Sequence, residues 1–175
     1  MTLDFMRCVP RAVTVVAATV VAAVTMVGFS ATSSAEELVR TGQQQRNAEV
    51  VRDAFALGVG GEDSFYSILA EDVQWTVARA VGQTTYTSRA QFLRDGAGPV
   101  LTRLTGPIQA NIRELITEND VVVAAWDGTA TARDGRPYVN SYVWVMTMRD
   151  DQVVRVTAYL DLVALNELLE RVRPS

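Results

Sequence analysis

The feature that most constrains the fold is a long apolar pattern near the C-terminus, from Arg136 to Asp161. Its β-branched and aromatic residues alternate with polar ones too regularly for a helix, and the stretch is too apolar for a loop. Asp150 and Asp151 interrupt the pattern and predict a tight turn between two antiparallel strands. Any fold of this chain must therefore accommodate a long two-stranded hairpin with a face to bury.

Weaker signals predict the elements around this hairpin. Apolar spacing and end signals predict helices at about 46–57, 63–69 and 88–95, and a last one at 162–172. Alternation predicts strands at 73–77, 108–116, 120–132, 138–148 and 152–160. Early helices followed by a run of antiparallel strands make an α+β fold, in which the sheet curves around the helices.

Two polar residues are expected to begin helices. Ser88 precedes the third predicted helix and Asp161 precedes the last one. Side-chain oxygens at such positions accept hydrogen bonds from backbone N–H groups of the first turn. A catalytic role is the alternative for Asp161, and the position before an apolar helix favours the cap.

The N-terminal residues 1–35 are predicted to be an export signal. Arg7 and Arg11 precede an apolar run rich in Ala and Val, and small residues up to Ala35 offer a cleavage point. An uncleaved membrane anchor is the alternative, because the run approaches the length of a spanning helix. Either reading places the domain outside the cytoplasm, secreted or in the cell envelope, and only an uncleaved segment would contact a membrane. A polar lead-in at 36–46 and a single domain at 47–173 would follow.

The charged residues exclude several kinds of chemistry. All 16 basic residues are Arg, His is absent and the net charge is -4. A His base, a Ser-His-Asp triad, a His-bound metal and a Lys Schiff base are therefore excluded. A mildly acidic chain also lacks the electrostatic footprint of nucleic-acid binding. The single cysteine, Cys8, lies in the N-terminal segment, so neither a disulfide framework nor a thiolate metal site is expected. No cofactor is expected either.

Several motifs resemble the nuclear transport factor 2-like superfamily, and within it the SnoaL-like relatives of polyketide cyclases and ketosteroid isomerases. The matching pieces, within 47–172, are AEDVQW, YTSRAQFL and GRPYVNSYVWVMTMRDDQVVRVTAYLD. The resemblance implies a cone-shaped α+β barrel, with a strongly curved antiparallel sheet wrapped around the N-terminal helices. Because such folds host many unrelated activities, it implies a pocket and not a particular reaction.

The resemblance also implies which strand positions face the cavity. The ligand-binding candidates carried over are Trp75, Val77, Trp126, Ser141, Val143, Ala158 and Leu160, with Gly128 beside them. Trp126 is either pocket wall or core packing. Alternation along the strands then sends the remaining aromatic residues of the hairpin to the other face, together with Asn140: Tyr138, Tyr142, Trp144 and Tyr159. So aromatic an outer face predicts a homodimer packed sheet to sheet.

The catalytic groups of these relatives are missing at the matching positions. The base of the isomerase relatives corresponds to Val77 and their oxyanion-binding acid to Val143. The Arg and two Asp of the epoxide-hydrolase relatives correspond to Trp126, Gly128 and Ala158. The remaining catalytic candidates are Asp53, Tyr66 and Tyr86. Asp53 is either a carboxyl at the pocket edge or a solvated helix residue paired with an Arg, and exposed helical acids are the commoner case.

Two functions remain open. The domain is expected to bind a small apolar molecule, such as a steroid, terpenoid or polyketide-like compound, and, if it is an enzyme, to be a cofactor-free isomerase, cyclase or hydratase. Alternatively it is a non-catalytic interaction module whose sheet face docks a partner. An open cavity of roughly several hundred Å³ with an ionisable group at its base would favour the first function, and a filled cavity the second.

Overall fold

The predicted hairpin is present in the structure, which is a computed structural model. The structure describes residues 22–174, and their side chains from residue 35 onwards. Its strands are β5 (Pro137–Arg149) and β6 (Gln152–Leu160). They meet at Asp150 and Asp151, whose φ angles are 52° and 60°. Two successive residues with positive φ form the turn whose twist matches that of paired strands. The sequence-based prediction of this hairpin is confirmed.

The first helix, α1, extends over Ala22–Ala56. The helix predicted at 46–57 therefore begins much earlier, and the polar stretch 36–46, expected as an irregular lead-in, is helical. Residues 1–21 of the predicted export signal lie outside the described residues. Among the helices that the structure describes, none combines the length and hydropathy that crossing a membrane requires. The chain divides into two units, Met1–Leu38 and Val39–Ser175, and the second contains the whole sheet.

The hairpin lies in the middle of a six-stranded sheet with the order β2-β1-β6-β5-β4-β3. The other strands are β1 (Leu69–Val77), β2 (Thr84–Tyr86), β3 (Gln109–Glu118) and β4 (Val121–Thr131). Their pairings are antiparallel except that of β1 with β6, which is parallel. The predicted α+β class with a curved sheet is confirmed, and the sheet is mixed where a wholly antiparallel one was expected.

Short helical segments complete the domain. A 3₁₀ turn at Phe65–Ile68 precedes β1, where a short helix was predicted. Between β2 and β3 lie α2 (Arg89–Gln91), a π-helical turn (Phe92–Ala97) and α3 (Gly98–Leu101), and the last helix is α4 (Leu162–Arg171).

Both predicted helix caps are confirmed. The Ser88 hydroxyl accepts a hydrogen bond from the Gln91 backbone N–H at 3.1 Å. The Asp161 carboxylate accepts bonds from the backbone N–H groups of Val163 and Ala164, at 2.8 and 3.2 Å. Asp161 therefore satisfies the otherwise unpaired donors of the first turn of α4.

A β-bulge interrupts the hairpin close to its turn. Met148 pairs with Val153, but the preceding residue Thr147 pairs with Arg155. Val154 is therefore an extra residue on β6 that has no counterpart on β5.

The bulge decides which face of β5 is buried. Pairing counted from the turn without a bulge would place Val143 opposite Ala158, whereas Trp144 occupies that position. Because side chains alternate along a strand, a one-residue shift exchanges the two faces. The prediction that the aromatic residues of β5 face outwards is therefore wrong: the buried side chains of this strand include Tyr138, Asn140, Tyr142 and Trp144.

Candidate functional site

An apolar cavity of about 90 Å³ lies on the inner face of the sheet. Its walls come from β1, β4, β5 and β6, and the π-helical turn, α3 and α4 contribute to its lining from the other side. The predicted ligand-binding residues that line it are Trp75, Val77, Trp126, Ala158 and Leu160. On β1, β4 and β6, the positions that the resemblance implied therefore lie on the inner face of the sheet.

The two candidates on β5 do not face the cavity. Ser141 is exposed and Val143 half-buried, and both lie on the opposite face of the sheet. The Ser141 hydroxyl donates to the Asp127 carboxylate at 2.7 Å. The bulge at Val154 is the physical reason, because it shifts β5 by one residue relative to β6.

The three catalytic candidates are not brought together. Asp53 is exposed on α1. Tyr86 is half-buried on β2, outside the cavity lining, and its ring centroid lies 5.8 Å from that of Phe92. Tyr66 is buried and lines the cavity. The structure thus places one of the three at the cavity.

Stacked aromatic rings form much of the cavity wall. All three tryptophans of the chain line it. The rings of Trp126 and Tyr142 are nearly parallel, with centroids 4.0 Å apart. Gly128 makes room for this pair, since a Cβ there would lie 2.9 Å from the Trp126 ring and 3.0 Å from the Tyr142 ring. On the other side, Trp75 stacks on Phe92 at 3.9 Å.

Trp144 connects these aromatic groups. Its ring centroid lies 4.7 Å from that of Trp126 and 4.9 Å from that of Trp75, in edge-to-face contacts. Phe65 from the 3₁₀ turn and Phe55 from α1 lie at 5.0 and 5.5 Å. Edge-to-face aromatic pairs add stability beyond the burial of their area, so Trp144 is both cavity wall and a centre of the core.

A short hydrogen-bond chain lies within this apolar wall. The hydroxyls of Tyr138 and Tyr142 are 3.0 Å apart. The Asn140 side-chain amide donates to the Tyr138 hydroxyl at 3.0 Å. The same amide exchanges two hydrogen bonds with the backbone of Asp161, each 3.0 Å long. Asn140 therefore ties the tyrosine pair to the start of α4.

A fully buried side-chain nitrogen of the wall has no partner within the described residues. The indole nitrogen of Trp126 is buried and makes no hydrogen bond within the described structure. Nearly all buried polar groups in proteins are paired, so such a donor requires an explanation.

The phenols at the site are hydrogen-bond donors and not bases. Burial raises the pKa of Tyr66, Tyr138 and Tyr142, so all three stay protonated near neutral pH. Burial, followed by the nearby Asp95 carboxylate, also raises the pKa of Tyr86. Within the part of the chain that the structure describes, no Asp, Glu or Arg lines the cavity. In the same part, no three His, Cys, Asp or Glu side chains cluster so that they could hold a metal ion.

The sequence-based prediction missed the polar residues of the site. Tyr138, Asn140 and Tyr142 were placed on the outer face together with Trp144. Their alternation is visible in the sequence, but the bulge that determines which set points inwards is not. The sequence did contain a usable signal, the row of large aromatic residues on the central strand, because such residues usually dominate cores.

Several known proteins resemble this chain in sequence and fold. A family model described as the SnoaL-like domain matches residues 51–156. The structure of TerC co-crystallised with polyporic acid is 26% identical with a TM-score of 0.56, covering 71% of this chain and 98% of that one. A Jannaschia sp. CCS1 protein described as a SnoaL-like polyketide cyclase is 15% identical with a TM-score of 0.57, covering 74% and 95%. No curated protein matches the chain.

A third solved structure, a nuclear transport factor 2-like protein of Burkholderia xenovorans LB400, has 20% identity and a TM-score of 0.51 and covers 72% of this chain and 97% of that one. Nearly the full length of each of these proteins is thus matched. The family model covers more than half of the sequence, and the fold agrees with it. The chain therefore belongs to the SnoaL-like domain family of the nuclear transport factor 2-like superfamily.

Proposed function

We propose that this domain binds a small, largely apolar molecule in the cavity on the inner face of its sheet. The observation that carries the proposal is a cavity walled by aromatic rings that nevertheless contains phenol hydroxyls and an indole N–H. Ligand sites typically combine an apolar lining with a few placed polar groups.

The size of the cavity limits what it holds. An engineered apolar cavity of about 150 Å³ binds benzene, and this one has about 90 Å³. A compact group of a few carbon atoms fits a cavity of this size. A steroid-sized ligand would have to displace the lining residues of the π-helical turn and α3, such as Phe92 and Leu101. Short helical segments are easier to displace than the sheet, because fewer backbone hydrogen bonds hold them.

The chemistry of the lining favours binding over proton transfer. An isomerase, cyclase or hydratase without a cofactor needs a base close to its substrate. The phenols of the cavity are held neutral by burial, which raises their pKa, and Asp53 is exposed. If the domain acts on its ligand, Tyr66 and the tyrosine pair of β5 would polarise an oxygen of the substrate.

The relatives support a ligand role. TerC, at 26% identity, was co-crystallised with polyporic acid. We infer that the corresponding domain here also accommodates a small organic compound.

Tryptophan emission offers a direct test with cyclopentane as probe. Because all three tryptophans line the cavity, cyclopentane should change the emission of the wild-type protein and raise its melting temperature. Ala97→Leu should abolish both effects, because Ala97 lines the cavity and its longer replacement fills it. Ala90→Leu, the same substitution at an exposed position of α2, should leave both unchanged. No response in the wild type, or equal responses in the two variants, would refute the proposal.

A second candidate function is dimerisation through the outer face of the sheet. The aromatic residues of β5 that suggested this face are buried, but the face carries a row of apolar partners across three strands: Ile116, Val123 and Val145. Ile116 is 52% exposed, as is Tyr159 on β6, and Val139 is 57% exposed. Exposed apolar groups gathered on one face typically mark an interface.

Charges on this face suit a second copy of the same chain. Glu118 on β3 and Arg155 on β6 lie in one cross-strand row, through Val121 and Thr147. A two-fold axis parallel to the strands, between β4 and β5, would place each Glu118 over Arg155 of the second copy. Such self-complementarity is what an isologous dimer requires.

The wild-type protein should therefore sediment as a dimer at micromolar concentration. Val145→Glu should yield monomers, because it places a carboxylate in the apolar row, next to the two-fold axis between β4 and β5. Glu62→Gln, at an exposed position before β1, serves as control. A monomeric wild type would exclude the dimer.

We also propose that residues 1–35 direct export. Two arginines, an apolar run and small residues before Glu36 support this. A mature protein whose intact mass corresponds to a chain beginning at Glu36 would agree with cleavage, and a full-length membrane-bound chain would favour the anchor.

A further inference from the structure

We propose that Trp126 and the Tyr138–Tyr142 pair form a binding site for one uncharged acceptor oxygen, such as the carbonyl oxygen of a ketone, aldehyde or quinone. This inference rests on the proposed small-molecule function and specifies the chemical class of the ligand. Three observations carry it: an unpaired indole N–H, a surplus phenol proton, and a lining without charge.

The first observation is the Trp126 indole. Its side chain is 0% exposed, it lines the cavity, and its nitrogen has no hydrogen-bond partner in the described structure. An indole nitrogen can only donate. Leaving a buried donor unpaired is unfavourable, and an acceptor within the cavity would pair it.

The second observation is a count of phenol protons. Tyr138 and Tyr142 carry one hydroxyl hydrogen each, and the bond between them, 3.0 Å long, uses one of the two. The other hydroxyl hydrogen remains available for a second acceptor. Both residues line the cavity, so a ligand atom there can accept it.

Asn140 determines which tyrosine keeps the free proton. The Asp161 backbone N–H must donate to the amide oxygen, and the Asp161 carbonyl must accept from the amide nitrogen, so the orientation of this amide follows from chemistry. The amide nitrogen is then left facing the Tyr138 oxygen, to which it donates. Because a hydroxyl that accepts one hydrogen bond becomes a stronger donor, Tyr138 donates to Tyr142, and the Tyr142 hydroxyl is the free donor. Asn140 is a positioning residue that acts through Tyr138.

The third observation concerns charge. No Arg lines the cavity in the described structure, so an anion would lose its hydration without gaining a counter-charge, which is costly. A neutral carbonyl oxygen has two lone pairs and can accept from two donors. The Trp126 and Tyr142 rings stack with centroids 4.0 Å apart, which keeps both donors on one wall.

A pair of probes of matched shape tests the inference: cyclopentanone and methylenecyclopentane, which differ by an oxygen in place of a CH₂ group. Titrations of the full-length protein should show cyclopentanone binding about tenfold more tightly, the effect of one or two hydrogen bonds in an apolar site. In nitrogen-15 spectra, the indole N–H signal of Trp126 should move downfield with the ketone only. The signals of Trp75 and Trp144, which also line the cavity, should respond alike to both probes and so report that each is bound.

The outcomes separate this inference from the proposed function. Equal affinities, or an unmoved Trp126 signal, would overturn the carbonyl site while small-molecule binding stands. Binding of neither probe would overturn both.

Two variants locate the oxygen. Tyr142→Phe removes the free hydroxyl and should reduce the preference for the ketone to about two- to threefold. Tyr86→Phe removes a hydroxyl outside the lining and should leave the preference at about tenfold. A Tyr142→Phe protein that folds, binds the alkene normally and keeps the full preference for the ketone would refute the assignment.

Discussion

Replacing Trp144 with alanine should lower the free energy of unfolding by about 3–5 kcal/mol, the range for large aromatic residues truncated in a core. Trp144 is 3% exposed. Its ring contacts those of Phe55, Phe65, Trp75 and Trp126, with centroids between 4.7 and 5.5 Å apart. Removing it would leave a large cavity that these rings cannot fill without losing their own contacts.

Its neighbour Val143 provides the control. Val143 is half-buried on the outer face, so Val143→Ala should cost about 1 kcal/mol or less. Urea unfolding followed by circular dichroism measures both variants. The reverse order, with Val143→Ala more destabilising than Trp144→Ala, would show that β5 presents its other face to the core.

Asn140→Asp should destabilise the fold by about 3 kcal/mol near pH 8, and by less near pH 5. Asn140 is 3% exposed. The substitution removes the donor to the Tyr138 hydroxyl and to the Asp161 carbonyl. It also places a carboxylate where two oxygen atoms already accept, and where burial disfavours charge.

The direction of the pH effect follows from linkage. Burial would raise the pKa of the introduced carboxyl above its value in the unfolded chain, about 3.9. Below that value both states bind the proton and no pH-dependent penalty exists. The penalty grows as the pH rises towards the folded-state pKa and is complete above it.

Thermal unfolding at the two pH values measures the effect. Asn166→Asp, the same change at an exposed position of α4, should show little loss at either pH. A stability loss for Asn140→Asp that is independent of pH would mean that the introduced carboxyl reaches solvent.

Much of the fold was predictable from local patterns. The hairpin followed from alternation and from the adjacent acids Asp150 and Asp151, which adopt the positive φ angles that the turn requires. Asp161 was recognisable as a cap because it stands directly before an apolar helix. These features depend on neighbouring residues, which a sequence displays directly. The start of α1 was not predictable in this way, because polar residues at 36–46 suit an exposed helix and a loop equally well.

The site was predicted in part, for a definable reason. Trp75, Trp126 and Ala158 lie on strands whose phase the sequence indicated correctly. On β5 the alternation was equally clear, but both of its faces carry apolar residues, so the choice between them depends on register with β6. That register includes a bulge, which depends on pairing between strands and leaves no mark in local composition.

The extra residue at Val154 has a consequence for how the protein tolerates change. Deletion of Val154 would remove only the unpaired residue and leave Trp144 opposite Ala158, whereas deletion of Val145, with the pairing at the turn kept, would bring Val143 opposite Ala158. The second deletion would turn Trp144 and Tyr142 towards solvent and bring Val143 and Ser141 inside. Substitutions along these strands alter the pocket one side chain at a time, whereas a shorter β5 would exchange its lining as a set. Within this hairpin, the spacing of the chain is under stricter constraint than the identity of most of its residues.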